Sequence, residues 1–188
     1  MSAARPRLAT AEDLEALPED HRVEVIGGAL VQKASPSFEH GDAQSSIAGL
    51  IKPRYQHGRG GPGGWRIATE VEIELSANDV FVPDVVGWKR ERTPERPRGR
   101  PIRIRPDWVC EVLSVSNALN DLGIKLAAYH RTAVPHHWIV DPERETLTVH
   151  RSSSDGYLVV LSAGRGETVH AEPFEELPLL IDDLFGGA

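Results

Sequence analysis

Short runs of apolar residues, separated by polar or turn-forming positions, extend along most of the chain and predict alternating strands and helices. Residues 70–75 alternate strictly between glutamate and apolar side chains, which predicts a strand with one solvent-exposed face. Residues 80–88 are mostly apolar and predict a strand paired with the preceding one, in which Pro83 favours a bulge or an interrupted ladder. Residues 108–113 predict a third strand, apolar except for Glu111. The centre of the chain is therefore expected to be a sheet.

A helix, a hairpin and a second helix are expected before these strands. Thr10 and Asp13 have the spacing of a capping box, and Gly27-Gly28 is typical of a hairpin turn. Pro53 is expected to weaken or end the second helix, because proline removes a backbone donor. The predicted elements are a helix over residues 11–17, a hairpin of strands 23–26 and 29–32, and a helix from residues 35–37 to about residue 52.

The remainder of the chain predicts one more helix followed by strands. The helix is expected to start at Ser116-Asn117 and to end before Pro135. Its apolar face would comprise Leu119, Leu122, Leu126 and Tyr129. The elements after it are a strand over residues 137–140, a hairpin of strands 146–150 and 157–161, and an apolar tail over residues 174–185.

Length and composition fit one globular domain. The chain has 188 residues, of which 40% are hydrophobic and 26% charged, so it can bury a core and is not expected to be disordered. We predict a single domain over residues 1–188, of the α/β (α+β) class, whose core spans about residues 10–150. A hairpin at each end completes it, and the C-terminal hairpin and tail occupy residues 145–188.

The charge is distributed unevenly. The net charge of −7 argues against a protein that coats nucleic acid indiscriminately. Residues 89–105 carry eight basic and two acidic residues, a local charge of +6, and are interpreted as a mobile basic loop within the domain. Such a run is usually a solvated loop, but it could also contact phosphates. The candidate phosphate-binding residues are Arg96, Arg98, Arg100 and Arg103.

The single cysteine and the terminal sequence indicate a compartment. Cys110 lies in an apolar run and cannot form an internal disulfide, which fits a reducing cytoplasm. The first ten residues lack the apolar segment of a signal peptide, and no apolar stretch approaches the length of a membrane helix. A cytoplasmic protein without a membrane partner is expected.

Three cofactor or reaction classes are disfavoured. Gly58, Gly60 and Gly63 match the dinucleotide fingerprint, but a helix is predicted before them and a strand after them, so no nucleotide cofactor is expected. The adjacent His136 and His137 would point to opposite sides of a strand and chelate zinc poorly. The chain also lacks the G-x-S-x-G pattern of a serine hydrolase.

Two acids interrupt apolar strands and are the main candidates for chemistry. A carboxylate such as Asp84 or Glu111 is costly to bury unless it meets a cation, hydrogen-bond donors or a metal ion. Two such acids at the ends of adjacent strands would form a site for Mg²⁺ or Mn²⁺. Lys125, on the following helix, could orient water and stabilise charge in the transition state.

Structural alternatives remain open for each candidate. Asp84 could be a turn acid, and Glu111 could be a buried partner of Arg103 or Arg105. Lys125 could form a surface ion pair with Asp121, four residues before it.

The ordered set of motifs resembles the PD-(D/E)XK nuclease superfamily and, more narrowly, the bacterial Uma-type family of restriction-endonuclease-like proteins. The resemblance spans about residues 10–149. The matching segments include residues 23–30, Ser35-Pro36 with His40, residues 82–86, residues 109–114, residues 121–125, Tyr129 and residues 134–141.

This resemblance implies a restriction-endonuclease-like core, with a central mixed sheet flanked by helices in the order α-β-β-β-α-β. It implies metal-ligand roles for Asp84 and Glu111. Leu113 occupies the usual lysine position of the motif, and the lysine is implied to have migrated to Lys125. Glu24 and His40 match family positions that could support the site, although strand alternation alone could also explain Glu24.

The function expected from the sequence is metal-dependent hydrolysis of phosphodiester bonds in DNA. A homodimer is expected, because cutting two strands suits twofold symmetry. The alternatives are a catalytically inactive binding or regulatory module with the nuclease fold, and a metal-dependent hydrolase of another phosphate ester.

Overall fold

The computed structural model describes residues 7–114 and 120–187. Three α-helices are present: α1 (Ala11–Glu15), α2 (Phe38–Ile51) and α3 (Leu126–Arg131). Ser37 caps α2, because its hydroxyl accepts a hydrogen bond from the backbone amide of His40. The helical path of α2 continues through a π-helical turn, Lys52–Gln56, and a second π-helical turn, Asn120–Lys125, leads into α3. A 3₁₀ turn, Ile181–Leu184, lies near the C-terminus.

Twelve strands form three sheets in the described part of the chain. They are β1 (Val23–Ile26), β2 (Ala29–Gln32), β3 (Trp65–Thr69), β4 (Ile73–Ser76), β5 (Asp79–Phe81), β6 (Val85–Lys89), β7 (Trp108–Val112), β8 (His136–Asp141), β9 (Thr146–Ser153), β10 (Gly156–Gly164), β11 (Thr168–His170) and β12 (Pro178–Leu180). The largest sheet has the order β10-β9-β8-β7-β6-β3, and only its β7–β8 pair is parallel. A four-stranded sheet has the order β2-β1-β5-β4, and β11 pairs with β12.

The central mixed sheet is covered on both faces, which confirms the predicted fold class. Alternate residues of β6 and β7 enter different cores, as the strand period requires. Val85 and Cys110 pack in the core that includes α2 and the C-terminal tail. Val86 and Val109 pack in the core that includes α3 and part of the smaller sheet. Helices therefore flank the sheet.

Residues 80–88 do not form the single strand that the apolar run predicts. The chain leaves β5 at Phe81 and enters β6 at Val85, and these two strands belong to different sheets. Pro83 has no backbone N–H and so cannot donate a hydrogen bond to a neighbouring strand, as expected. The amide of Val82 donates to the Glu24 carboxylate, at 2.7 Å, instead of to a strand. Asp84 consequently lies at the junction between the two sheets.

Three other local predictions are corrected. The strand predicted over residues 70–75 begins only at Ile73, because Glu70 adopts a left-handed conformation with φ of 52°. Pro53 does not end the helical path, which widens into a π-helical turn and reaches Gln56. Leu122 is 47% exposed and so does not belong to a buried face. The predicted helix start at Ser116-Asn117 and Leu119 lie outside the described residues.

The basic segment over residues 89–105 is fastened to the domain, in contrast to the mobile loop that its charge predicts. Trp88 donates its indole N–H to the carbonyl of Ile104, and the carbonyl and amide of Ile102 both pair with backbone groups beside β4. Arg92 forms an ion pair with Asp107 at 2.8 Å. Asp107 therefore neutralises part of the positive charge of this segment.

Among the described residues, no helix combines the length and apolarity that a bilayer crossing requires.

Candidate metal centre

Asp84 is buried at the junction of the two sheets and is held by donors on every side. Its Oδ2 accepts the backbone amide of Val112 at 2.7 Å, and its Oδ1 accepts the Lys33 ammonium at 2.9 Å. The Nε2 of His40 lies 3.3 Å from the same Oδ1. Burial alone would raise the pKa of Asp84, but the contacts from His40 and Lys33 hold that pKa well below its usual range. Asp84 is therefore an anion, and its carboxylate is buried and paired.

Lys33 is a site residue that the sequence analysis missed. It follows β2 directly and directs its ammonium to Asp84 Oδ1, Glu70 Oε2 and the carbonyl of Val82, at 2.9, 3.0 and 2.7 Å. The lysine is only 8% exposed. Nothing in its local sequence distinguishes it from a solvated lysine, because all three partners are more than thirty residues away.

Glu111 lies on β7, next to β6, the strand that Asp84 immediately precedes, and is 1% exposed. Its Oε1 accepts the Tyr129 hydroxyl at 2.6 Å and lies 3.4 Å from the Lys125 ammonium. Burial, opposed by Lys125 and reinforced by the nearby Asp121, Asp84 and Glu24 carboxylates, raises the pKa of Glu111 to about 8. This side chain therefore holds a proton at neutral pH unless additional positive charge arrives.

Lys125 is fully surrounded by carboxylates. Its ammonium lies 2.9 Å from Glu24, 3.2 Å from Asp121 and 3.4 Å from Glu111. The pair with Asp121 exists, as the alternative interpretation supposed, but it is buried and belongs to a larger network. Burial would lower the pKa of Lys125, but the Glu111 and Glu24 charges raise it well above its ordinary value. Lys125 therefore remains a cation.

The two supporting residues both contact the centre. Glu24 bridges the Lys125 ammonium and the Val82 amide, so it fixes the chain just before Asp84. His40 lies beside Asp84 through its Nε2, and none of the described residues forms a hydrogen bond with its buried Nδ1. Neither Arg103 nor Arg105 pairs with Glu111, because Arg103 contacts Glu74 and Arg105 faces Asp107.

The candidate residues meet at one small cavity. Its lining includes Asp84, Glu111 and Lys125, together with His40, Lys33 and Asp121. The cavity has a volume of about 10 Å³, which is roughly the space of one water molecule. The two strand acids, which are 27 positions apart in the sequence, therefore lie at one point of the fold.

The donor set fits a divalent cation. Five carboxylates surround this region, from Glu24, Glu70, Asp84, Glu111 and Asp121. Two full positive charges lie beside these carboxylates, the ammonium groups of Lys33 and Lys125. Even with Glu111 protonated, the other carboxylates outnumber the two ammonium groups, so a bound cation would be stabilised here. Asp84 and Glu111 would hold such an ion, for which carboxylate oxygens are the preferred ligands.

None of the four candidate arginines is among the residues that line this cavity. Arg100 lines an open pocket of about 470 Å³ that Lys33 also lines, but its guanidinium is paired with Glu72 at 2.7 Å. Arg103 is paired with Glu74 at 2.8 Å. Arg96 borders a different pocket, and Arg98 forms part of the outer loop surface. Their contact with phosphate stays a prediction.

Tyr129 is a second residue whose role emerges only from the structure. We expect Tyr129→Phe to lower the free energy of unfolding by about 1–3 kcal/mol, because it removes the shorter of two hydrogen bonds to the buried Oε1 of Glu111 and leaves only the 3.4 Å contact from Lys125. Tyr157→Phe is the matched control, since that hydroxyl donates to a neutral carbonyl, of Val134. Chemical denaturation of both variants measures the difference. A loss for Tyr129→Phe no larger than that of the control would contradict the expectation.

The fold and the cluster of strand acids define a nuclease-fold protein. A solved structure titled "a putative nuclease belonging to DUF820", from Anabaena variabilis ATCC 29413, is similar to the chain with a TM-score of 0.68 and 25% identity. The similarity covers 95% of this chain and 98% of that chain. No curated protein matches the chain.

The family model of Uma2, described as "Putative restriction endonuclease", matches residues 11–181. The chain belongs to this family, which confirms the resemblance seen in the sequence motifs.

Proposed function

We propose that the protein is a metal-dependent endonuclease that hydrolyses phosphodiester bonds of DNA. The observation that carries the proposal is the convergence of Asp84 and Glu111, from neighbouring strands, with Lys125 on one cavity. Membership of a family of nuclease-fold proteins supports the same reaction class. Mg²⁺ or Mn²⁺ is the proposed ion.

Each residue has a defined part in the proposed reaction. Asp84 and Glu111 would hold the ion, which would supply Lewis-acid chemistry at a phosphoryl oxygen. Glu111 gives up its proton when positive charge arrives, and the Tyr129 hydroxyl keeps its carboxylate in place. Lys125 stays charged, and once Glu111 is shared with an ion its ammonium is available to orient water or stabilise phosphate charge.

The catalytically inactive module remains the second candidate, and two observations favour it. Leu113 occupies the usual lysine position, and every close partner of the Lys125 ammonium is a carboxylate of its own network. Under both candidate functions, we propose that the protein is a cytoplasmic homodimer. Sedimentation equilibrium would test whether it is a dimer.

Metal-dependent stabilisation and cleavage test the proposal together. We expect Mg²⁺ and Mn²⁺ to raise the melting temperature of the metal-free protein, since a ligand of the folded state stabilises it. The protein should then cleave plasmid DNA in preference to RNA. Asp84→Asn and Glu111→Gln should each abolish cleavage, whereas Asp155→Asn, in the exposed turn between β9 and β10, should leave it unchanged.

Other outcomes separate the alternatives. Stabilisation by metal without cleavage of plasmid, single-stranded DNA or RNA would favour the inactive module. Cleavage of bis(p-nitrophenyl) phosphate without cleavage of any nucleic acid would favour a hydrolase of another phosphate ester. Cleavage that persists in Glu111→Gln would refute the proposed site.

A further inference from the structure

An open pocket bordered by residues of β3 and β6 is lined by basic side chains. It has a volume of about 530 Å³, within the usual range of ligand sites, and shares no lining residue with the cavity of the candidate metal centre. Arg66, Arg90 and Arg96 line this basic pocket, and no acidic residue is among the described residues that do so. From this concentration of positive charge we infer an anion site that binds a backbone phosphate of a nucleic-acid strand.

Backbone carbonyls, and not carboxylates, hold two of these arginines in place. Arg66 donates from its Nε to the carbonyl of Thr93 at 3.1 Å. Arg90 donates to the carbonyls of Trp65 and Gln56, at 3.0 and 2.7 Å. A guanidinium has more N–H donors than these bonds use, and a neutral carbonyl does not cancel its charge. Both side chains are therefore fixed in position and still able to bind an anion.

Carboxylates neutralise neighbouring arginines but not the three of the basic pocket. Arg92 is paired with Asp107, and Arg100 is paired with Glu72. In the part of the chain that the structure describes, no ion pair involves the three pocket arginines. Their charge is therefore available to a ligand. Phosphate is an anion whose geometry guanidinium groups match with paired hydrogen bonds.

The remaining lining of the basic pocket favours a sugar–phosphate chain over a free ion. It includes the apolar side chains of Ile67, Val71, Pro97 and Ile102, with which a hydrated inorganic phosphate has no favourable contact. A sugar or an unstacked base can cover such a surface while its phosphate meets the arginines. A nucleotide of an unpaired strand therefore fits both parts of the pocket.

The basic pocket adjoins the open pocket of about 470 Å³, because Val71 and Ile102 line both. That second pocket is also lined by Lys33, whose ammonium contacts Asp84. A strand that occupies both pockets would therefore pass from the arginines to the candidate metal centre. This last step rests on the proposed function, whereas the anion site itself does not.

Fluorescence anisotropy of a labelled single-stranded DNA oligonucleotide tests the anion site. Full-length protein is titrated in EDTA, so that binding depends on neither a metal ion nor cleavage. We expect Arg96→Gln to weaken binding by about tenfold, since one charged hydrogen-bond donor to phosphate is lost. The slope of log Kd against log salt concentration should fall by about 0.7. Arg131→Gln is the matched control, because it removes the same charge from an exposed arginine on α3 that lines neither pocket.

Lysine and glutamine variants at the other two positions separate charge from fold. Arg66→Lys and Arg90→Lys keep the positive charge and should bind the oligonucleotide more tightly than Arg66→Gln and Arg90→Gln. Binding by Arg96→Gln that equals the wild type would overturn the inference. A loss in Arg131→Gln as large as that in Arg96→Gln would overturn it as well.

A competition experiment identifies the source of the phosphate. A deoxynucleoside monophosphate should displace the oligonucleotide only at a much higher concentration than an unlabelled oligonucleotide does. Displacement at equal concentrations would make a free nucleotide the ligand and would overturn the assignment to a strand. These failures differ from failure of the proposed nuclease site, whose mark is that Glu111→Gln leaves metal stabilisation and cleavage intact.

Discussion

Replacement of Lys125 by methionine is expected to lower the free energy of unfolding by about 3–5 kcal/mol. The substitution keeps the length and apolar volume of the side chain but removes the positive charge that Glu24, Asp121 and Glu111 share. Removing one partner of a buried ion pair leaves an uncompensated buried charge, and that penalty is the largest single cost in the network. Urea denaturation of the metal-free protein at neutral pH measures it.

A control on the same helix separates this effect from a general loss of charge. Arg131 forms an ion pair with Asp79 at 3.4 Å, but its side chain is 60% exposed. Arg131→Met should therefore change the free energy of unfolding by less than about 1 kcal/mol. Adding Glu24→Gln to Lys125→Met should recover part of the loss, because it removes one of the unpaired charges. Equal stability of Lys125→Met and wild type would be incompatible with the buried network.

The second large effect is a dependence of stability on pH that originates at Glu111. In the metal-free protein, the pKa of Glu111 is about 8, compared with its ordinary value of 4.5. Between these two pH values the folded state binds the proton and the unfolded state releases it. The stability associated with the neutral carboxyl is thus fully present below pH 4.5 and is lost as pH rises to about 8, by an amount on the order of 4 kcal/mol.

Other groups titrate in neighbouring windows and must be subtracted. Asp84 acts in the opposite sense at acid pH, because its lowered pKa gives stability that is lost as pH falls below about 3.8. His137 and His150 have lowered pKa values because they are buried, so they favour unfolding as pH falls below 6.5. Their contributions cancel when Glu111→Gln is compared with the wild type at each pH.

The measurement is the difference between those two unfolding free energies from pH 4.5 to 9. Glu111→Gln should become more stable relative to the wild type as pH rises through this range. Saturating Mg²⁺ should remove the trend for the wild type, because metal binding takes the deprotonated carboxylate and releases its proton. A difference that does not vary with pH would show that Glu111 is ionised throughout and that the network already neutralises it.

The two acids could be predicted from sequence because each is the single charge in an apolar run. Burial of the strand is a local property, so Asp84 and Glu111 stood out without any knowledge of their partners. Lys125 was a candidate because it lies on the helix predicted after Glu111, and the family resemblance added to this, although a lysine on a helix is normally solvated. Pro83 correctly indicated an interrupted ladder, but its position alone could not show that the strands on either side join different sheets.

The residues that sequence reasoning missed act across long separations. Lys33 and Glu70 lie in polar, turn-like segments, and Glu70 occurs in a stretch whose alternation indicated only an exposed strand face. The left-handed backbone of Glu70 places its carboxylate beside Lys33. A glutamate in the sequence does not indicate that conformation. The basic segment over residues 89–105 was interpreted as a mobile loop for the same reason. The partners of Arg100 and Arg103 are glutamates about thirty positions earlier.

The position of Asp84 between β5 and β6 has a mechanical consequence. The residue before the break is tied to β1 through Glu24, and the carboxylate after it is tied to β7 through the amide of Val112. A cation that immobilises the Asp84 carboxylate would therefore also fix the orientation of the smaller sheet relative to the larger one. Binding of an ion at the centre would therefore stabilise the contact between the two sheets. Loss of the ion would weaken that contact before any strand unfolds.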